Sequence, residues 1–154
     1  MIRYGKREEY EIVNKIAKQG QEYHYRLRPD IYILDSTENK LLPISKFYEM
    51  VEMRNIIVYE SDNRVMAYMA FKDKEIDNPL MKKTKILFID SIAVDEKYRN
   101  RGIATELIKW IKEYAKQNEY EKVELQVNGK NEEALKLYNK EMFKIKSINM
   151  ELFV

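Results

Sequence analysis

The sequence predicts an α/β fold in which a mixed central β-sheet of about six to seven strands packs against about four helices. Segments with the spacing of amphipathic helices alternate with short β-rich segments along the chain. One pair of β-rich segments is joined by a tight turn, which indicates antiparallel pairing, whereas a later strand–helix–strand order indicates parallel pairing. The 154 residues contain no repeat or linker, so residues 1–154 are predicted to form a single domain.

The first part of the chain is expected to hold a strand at residues 1–4 and a helix at residues 8–19. The apolar stripe of that helix consists of Ile12, Val13, Ile16 and Ala17. Gly20 is typical of a helix stop, and residues 21–42 are irregular. Pro43 suits the first turn of a second helix. Its apolar positions follow the i, i+3, i+4, i+7 spacing and are Ile44, Phe47, Tyr48 and Val51.

The remaining elements begin with a predicted hairpin. Two β-rich segments, residues 56–59 and 65–71, flank the turn residues Ser61, Asp62 and Asn63. The elements expected after the hairpin are a strand at 85–94, a helix at 102–116, a strand at 122–127, a helix at 131–140 and strands at 142–146 and 148–153. An order that mixes hairpins with strand–helix–strand units predicts a sheet with both parallel and antiparallel pairs.

Composition excludes several functional classes. The 28 basic and 26 acidic side chains leave a net charge of only +2, which predicts no nucleic-acid partner. The chain has no cysteine and one histidine, so we expect neither a disulfide nor a metal site. No apolar stretch approaches the roughly 18 residues of a membrane span, and the first residues lack a signal-peptide core. The prediction is a cytoplasmic protein without a membrane partner.

The most informative segment is residues 92–104, a strand end followed by a basic loop and a helix that opens on glycine. The first turn of a helix presents unpaired N–H groups and a partial positive charge, which favour an anion. Gly102 removes the Cβ that would block a phosphate from this backbone. Arg99 and Arg101 add positive charge beside it, and Ala104 keeps the first turn slim. These residues predict a diphosphate site.

Two segments of the sequence carry a family resemblance. Ile92-Ala93-Val94 followed by Arg99-x-x-Gly102-x-Ala104 resembles the (Q/R)-x-x-G-x-(G/A) acyl-CoA signature of the GNAT superfamily. Further on, the stretch from Asn131 to Phe143 resembles the family's N-x-x-A-x-x-L-Y-x-x-x-G-F segment, with Ala134 and Tyr138 at their places. Residues 24–30 resemble an H-x-x-L-R-P-D stretch of some bacterial members. Two spaced motifs in the family's order make the resemblance specific.

The resemblance implies that acetyl-CoA is the cosubstrate and assigns residues to it. The backbone of a loop–helix segment would hold its pyrophosphate: Arg99, Asn100, Arg101, Gly102, Ile103 and Ala104. The pantetheine arm would pair with the strand backbone of Ile92, Ala93 and Val94, between two parallel strands that splay apart. Asn131 and Ala134 would line the cofactor site. Tyr138 would act as the general acid that protonates the leaving thiolate, and Val94 N–H would meet the oxyanion.

The spacing of three of these residues agrees with that assignment. Asn131 and Tyr138 are seven positions apart, so they lie on one face of a helix with the small Ala134 between them. A small residue between two polar ones is typical of a helix that a ligand approaches closely. The alternative is that Tyr138 only packs against the sheet.

The expected reaction is transfer of an acetyl group to a primary amine by direct attack in a ternary complex. No cysteine is present, and a single histidine supports no covalent relay. The acceptor is a small-molecule or peptide amine, whose pocket is expected at residues 21–42 and the second helix. The alternative function is a catalytically idle acyl-CoA sensor or interaction module with the same fold. The alternating segment 148–153 is compatible with a homodimer.

The general base is the least determined group. Some family members carry a glutamate where this chain has Gln126, which cannot usefully accept a proton. Asp90 is the first candidate, because it interrupts an apolar strand just before the cofactor-facing segment and is expected to be half-buried there. The alternative for Asp90 is a solvent-facing residue paired with a lysine. His24 is the second candidate. The remaining candidates are Glu52, Tyr68 and a water relay.

Overall fold

The structure is a computed structural model that describes residues 1–38 and 40–154. Asn39, which belongs to the predicted acceptor segment, lies outside the described residues. The strands are β1 (Ile2–Tyr4), β2 (Ile56–Ser61), β3 (Arg64–Lys74), β4 (Ile86–Val94) and β5 (Lys122–Leu125). The helices are α1 (Tyr10–Leu27), α2 (Ile44–Glu52), α3 (Ile103–Gln117) and α4 (Glu132–Lys140). The described residues therefore contain four α-helices, as the sequence predicts.

The five strands form one mixed sheet in the order β1-β2-β3-β4-β5. The first four strands pair antiparallel, and β2 and β3 form the predicted hairpin. Strand β5 pairs parallel to β4, with a register that runs from Ile86↔Lys122 to Ile89↔Leu125. This parallel pair is connected through α3, as expected for strands that need a crossover.

Each face of the sheet carries its own apolar core. One core joins α3 to the sheet, and Leu107, Ile108 and Ile111 of that helix are fully buried in it. The other core joins α1 and α2 to the opposite face through Val13, Ile16 and Phe47, among others. Because both faces are covered, the functional groups are left at the sheet's edges and at strand ends, where backbone remains accessible.

A β-bulge interrupts β4 at Asp90. The antiparallel register runs Phe71↔Ile89 and then Ala70↔Ser91, so Asp90 is an extra residue without a partner on β3. A residue inserted in this way reverses the alternation of side chains along the strand. Before the bulge, Leu87 and Ile89 face the α3 core. After it, the residues that pack against that core are Ile92 and Val94.

The predicted helix stop at Gly20 is wrong. Helix α1 runs through Gly20 to Leu27, because Gly20 lacks the left-handed backbone that ends a helix. A Cβ at Gly20 would lie 3.8 Å from the Cβ of Ala93, an ordinary van der Waals distance, so Gly20 marks the place where α1 packs on β4. The helix ends where Pro29 follows Arg28, since a proline disfavours helical backbone in the residue before it.

The two strands predicted at 142–146 and 148–153 are also absent from the described residues, so the sheet has five strands and not six to seven. Alternating apolar side chains suggest a strand, but a strand also needs a hydrogen-bonded neighbour. Ile148, Met150 and Leu152 are instead 74%, 92% and 86% exposed. The segment is attached to the rest of the chain by ion pairs, one of which joins Lys146 to Glu124 of β5 at 2.6 Å.

Candidate functional site

The candidate site begins where β4 and β5 separate. Their pairing ends at Ile89↔Leu125, while β4 continues to Val94. Residues 90–94 therefore have β3 on one side and no strand partner on the other. The predicted splayed parallel strands are confirmed, and the separation leaves a gap bordered by strand backbone.

Strand β4 turns the backbone of two residues toward this gap. Asp95 N–H donates to Met66 C=O on the β3 side at 2.8 Å. Because backbone direction alternates along a strand, Ile92 and Val94 point their N–H and C=O groups the other way, toward the gap. The Val94 carbonyl is indeed reached from that side, by Arg99 Nε at 3.2 Å. The gap thus offers N–H donors at Ile92 and Val94 that can pair with an extended ligand.

The loop that leaves β4 is held by two contacts that the sequence did not suggest. Asp95 is buried, and its carboxylate accepts a hydrogen bond from Lys97 N–H at 3.0 Å. Gln19 of α1 accepts from Glu96 N–H at 2.9 Å. These bonds fix the loop between strand and helix, so the following residues approach α3 in one conformation. The sequence did contain a sign of the Asp95 contact, because an aspartate commonly accepts a hydrogen bond from the backbone N–H two residues later.

The N-terminus of α3 lies at the end of this loop and is open. Gly102 caps the helix with φ = 78° and ψ = 2°, and no side chain bonds to the first turn. No described atom lies within 4 Å of the position that a Gly102 Cβ would take. Asn100 also has a positive φ, 61°. Free N–H groups of the first turn together with open space on the glycine's side form a cradle that fits a phosphate.

The arginines of the loop occupy different places. Arg99 turns back to the Val94 carbonyl at the border of the gap. Arg101 lies over the Tyr98 ring, with its guanidinium carbon 5.4 Å from the ring centroid. Its own hydrogen bond, to Lys97 C=O, is long at 3.4 Å. Both guanidinium groups are exposed and lack a carboxylate partner among the described residues, so they remain available to an anion.

Helix α4 places Asn131 and Ala134 in one turn. Asn131 is 8% exposed and caps the helix, since its Oδ1 accepts from Ala134 N–H at 3.2 Å. This capping role was not part of the sequence prediction, which gave the side chain to the cofactor. The amide Nδ2 donates to no other described group, so it remains free for a ligand.

Tyr138 packs on the α3 side of the sheet, against the core that Ile92 and Val94 also contact. Its ring lies 5.7 Å from that of Phe143. Burial raises the pKa of the Tyr138 hydroxyl to about 12, and no described group hydrogen-bonds with it. The hydroxyl is therefore protonated at neutral pH and has a proton free to donate. Whether it acts as the general acid stays a prediction.

Asp90 does not have the environment expected of the general base. Its side chain is 48% exposed, because it occupies the bulge, and its Oδ1 lies 2.6 Å from Lys72 Nζ. Asp90 thus has the lysine partner of the alternative considered for it, and its role as general base stays a prediction.

The other base candidates lie on the α1–α2 side of the sheet. Glu52 is exposed and paired with Arg7 at 2.9 Å. Tyr68 is buried, and burial raises the pKa of its hydroxyl, which leaves it protonated. His24 lies near the end of α1, and burial lowers the pKa of its imidazole. Of these three side chains, only His24 is an unpaired base at neutral pH.

Residues 1–38 and 40–154 bring together no group of three or more histidine, aspartate and glutamate side chains suited to a metal ion. Within the same residues, no helix has the length and apolar character needed to cross a membrane.

Comparison with known proteins identifies the family. The sequence profile of the Acetyltransferase (GNAT) family matches residues 21–142, which is most of the chain and includes the gap, the α3 cradle and α4. The chain belongs to the GNAT acetyltransferase family. A search of curated protein sequences finds no significant match to it.

Solved structures share the whole fold. A variant of the BH1408 protein from Bacillus halodurans superposes with a TM-score of 0.89 at 26% identity, covering 100% of this chain and 99% of that one. An aminoglycoside acetyltransferase from an uncultured soil sample gives a TM-score of 0.69 at 17% identity, covering 100% and 97%. Ribosomal-protein-alanine N-acetyltransferase from Brucella melitensis biovar Abortus gives 0.65 at 16% identity, covering 100% and 99%. The two less identical proteins support the fold alone.

Proposed function

We propose that this protein transfers an acetyl group from acetyl-CoA to a primary amine, by direct attack of the amine within a ternary complex. One observation carries the proposal: the gap between β4 and β5 lies directly before the open N-terminus of α3. A ligand with an extended amide-bearing arm and a diphosphate needs these two features next to one another. Acetyl-CoA has this chemistry, and family membership supports the same cosubstrate.

Each part of the cosubstrate has a partner in this arrangement. The diphosphate binds at the N–H groups of residues 102–104, where the helix dipole and Arg101 favour negative charge. The pantetheine amides pair with the gap-facing backbone of Ile92 and Val94 in the manner of an added strand. Asn131 Nδ2 and the small Ala134 border the same ligand from α4. The thioester then lies between β4 and Tyr138.

The reaction needs an unprotonated amine, a stabilised oxyanion and a protonated leaving group. Holding both reactants in one site supplies the largest part of the rate acceleration, because it replaces a bimolecular encounter by a positioned attack. Val94 N–H donates to the thioester oxygen as negative charge develops there. The Tyr138 hydroxyl, which is protonated at neutral pH like any ordinary tyrosine, gives its proton to the departing sulfur.

The acceptor site is assigned to the α1–α2 side of the sheet. A cavity of about 330 Å³ lies between α1 and the following loop. It is lined by Gln21, Ile33, Leu34, Asp35, Lys40 and Leu41. Ile33 and Leu34 are exposed apolar side chains, whereas Asp35 is paired with Lys18 at 2.9 Å. An exposed apolar border beside a carboxylate suits an amine with an apolar body.

A thiol-release assay tests the proposal. The chain has no cysteine, so the released CoA is the only thiol that a chromogenic disulfide can report. We would assay acetyl-CoA with an aminoglycoside, a polyamine, an arylalkylamine and a peptide with an N-terminal alanine. Amine-dependent thiol release, with a product 42 Da heavier by mass spectrometry, supports acetyl transfer. CoA binding without turnover on any amine contradicts it and favours the sensor function.

A further inference from the structure

Helix α1 crosses the sheet and ends over the gap between β4 and β5. Near its middle, Gly20 contacts Ala93 of β4. Nearer its start, Val13 and Ile16 pack in a core that includes residues of β2 and β3. The helix therefore advances from β2 and β3 to β4, and its last turns lie beyond β4, on the side of the gap.

His24 lies on the part of α1 that spans the gap. It continues the buried stripe of Val13, Ile16, Ala17 and Gly20 at helical spacing, one turn beyond Gly20. Side chains on a helix lean toward its N-terminus, so the imidazole leans back toward the Gly20–Ala93 contact. His24 therefore lies on the face of α1 that packs on the sheet, one turn beyond the contact with β4.

The two imidazole nitrogens have different surroundings. Nδ1 is buried and has no hydrogen-bond partner. Nε2 makes no hydrogen bond with a described group and is not among the buried atoms, so a ligand can reach it. The ring stacks on Tyr32, with centroids 5.2 Å apart, and lies 6.3 Å from the Tyr23 ring. Among the described residues, no carboxylate forms a hydrogen bond or ion pair with the imidazole.

We propose that His24 is a catalytic residue whose Nε2 accepts the proton of the acceptor amine as the amine attacks the thioester. This assignment rests on the proposed acetyl transfer. It also replaces Asp90, whose carboxylate is solvated and paired with Lys72. A buried polar atom without a partner calls for an explanation. Burial lowers the pKa of the imidazole, so His24 is unprotonated at neutral pH, and with the ring proton on Nδ1 the Nε2 atom can accept another.

The proton and electron balance of the step is complete. The amine nitrogen loses one proton to His24 Nε2 and forms a bond to the acetyl carbon. The bond from that carbon to sulfur breaks, and its electron pair stays on sulfur, which takes a proton from Tyr138. His24 then releases its proton to water, and Tyr138 regains one from water. The products are an N-substituted acetamide and a free thiol.

The only histidine of the chain allows a direct test of position. Protein labelled with ¹⁵N-histidine gives the signals of a single imidazole. We expect the Nε2 signal to shift when CoA is added and to shift again with the amine that the acceptor panel identifies. An Nε2 signal unchanged by saturating CoA would place His24 away from the gap and overturn the assignment, whatever the activity of the enzyme.

Kinetics of His24→Gln test the chemical role. Glutamine keeps a polar side chain of similar length but cannot accept a proton. We expect kcat/KM for the amine to fall by about 10²–10⁴-fold, the usual contribution of a positioned general base, while CoA affinity stays unchanged. The acidic limb of the wild-type pH profile should disappear. Glu22→Gln, an exposed change on the same helix, is the matched control.

The outcomes separate the two proposals. Full activity of His24→Gln overturns the role of His24 and leaves acetyl transfer intact. An inactive Asp90→Asn variant beside an active His24→Gln variant would return the base to Asp90. A wild-type protein that binds CoA without acetylating any amine overturns the proposed function, and the role of His24 with it. Loss of activity and of the acidic limb in His24→Gln, with retained CoA binding, supports both.

Discussion

A Cβ added to Gly20 of α1 would lie 3.8 Å from the Cβ of Ala93 on β4, which is ordinary van der Waals contact. Outside the helix itself, no other described atom lies within 4 Å of that position, and the backbone at Gly20 is helical. A methyl group at this position therefore fits without displacing a neighbour.

Gly20→Ala should stabilise the protein. Alanine favours a helix interior over glycine by about 1 kcal/mol, partly by restricting the unfolded chain, and the new methyl group only contacts Ala93. We expect the free energy of unfolding in urea to rise by roughly 0.5–1 kcal/mol. The control is Gly102→Ala, where φ is 78°. The free energy of unfolding of that variant should fall by about 1 kcal/mol or more. Equal effects of the two changes would contradict the helical backbone at Gly20 and the left-handed backbone at Gly102.

Arg101→Ala should weaken CoA binding. The guanidinium is exposed beside the α3 N-terminus and has no carboxylate partner among the described residues, so its charge is available to a phosphate. Loss of one charge-assisted hydrogen bond should cost about 1–3 kcal/mol of binding free energy by calorimetry. Lys116→Ala, at the opposite end of the same helix, should bind CoA like the wild type. Equal affinity of both variants would place the anion site elsewhere.

Tyr138→Phe separates a proton donor from a packing residue. The ring and its contact with Phe143 are kept, so folding and CoA affinity should change little. Turnover should fall by about 10²–10⁴-fold if the hydroxyl protonates the leaving sulfur. The fall should appear in kcat with KM nearly constant, because the proton matters as charge develops. Tyr114→Phe is the control, since Tyr114 stacks on Trp110 in the α3 core. A fully active Tyr138→Phe enzyme would refute the role.

Stability should depend on pH through His24. Burial lowers the pKa of this imidazole in the folded protein, below the value of about 6.5 in an unfolded chain. The unfolded state therefore binds more protons than the folded state as pH falls below about 6.5. The contribution of His24 to the free energy of unfolding is full above that pH and is lost as pH falls through the pKa of the folded state. The stability difference between wild type and His24→Gln should thus shrink from pH 7.5 to pH 5. If urea unfolding gave the same difference in free energy at both pH values, the burial of the His24 imidazole would be contradicted.

The sequence predicted the strand, loop and helix that form the anion cradle. Gly102 was expected where α3 begins, and it is the N-cap of that helix, because a short motif and a strand–loop–helix context determine this structure locally. The exposure of Asp90 could not be predicted, because the bulge that exposes it depends on pairing with β3, which alternation along one strand cannot reveal. Likewise, Gly20 has the residue type of a helix stop, but the residue type alone does not determine its backbone conformation, and the helix continues through it.

The bulge at Asp90 also shows how β4 tolerates mutation. In a strand with unbroken alternation, all odd positions face one side of the sheet and all even positions face the other. The extra residue Asp90 exchanges the two sides, so Leu87 and Val94 pack in the same core although one position is odd and the other is even. Removing Asp90 would restore regular pairing with β3 and leave Ile92 and Val94 on the α3 core. A change of length by one residue is therefore tolerated better at the bulge than in the regularly paired part of β4, where it would turn the following side chains to the opposite face.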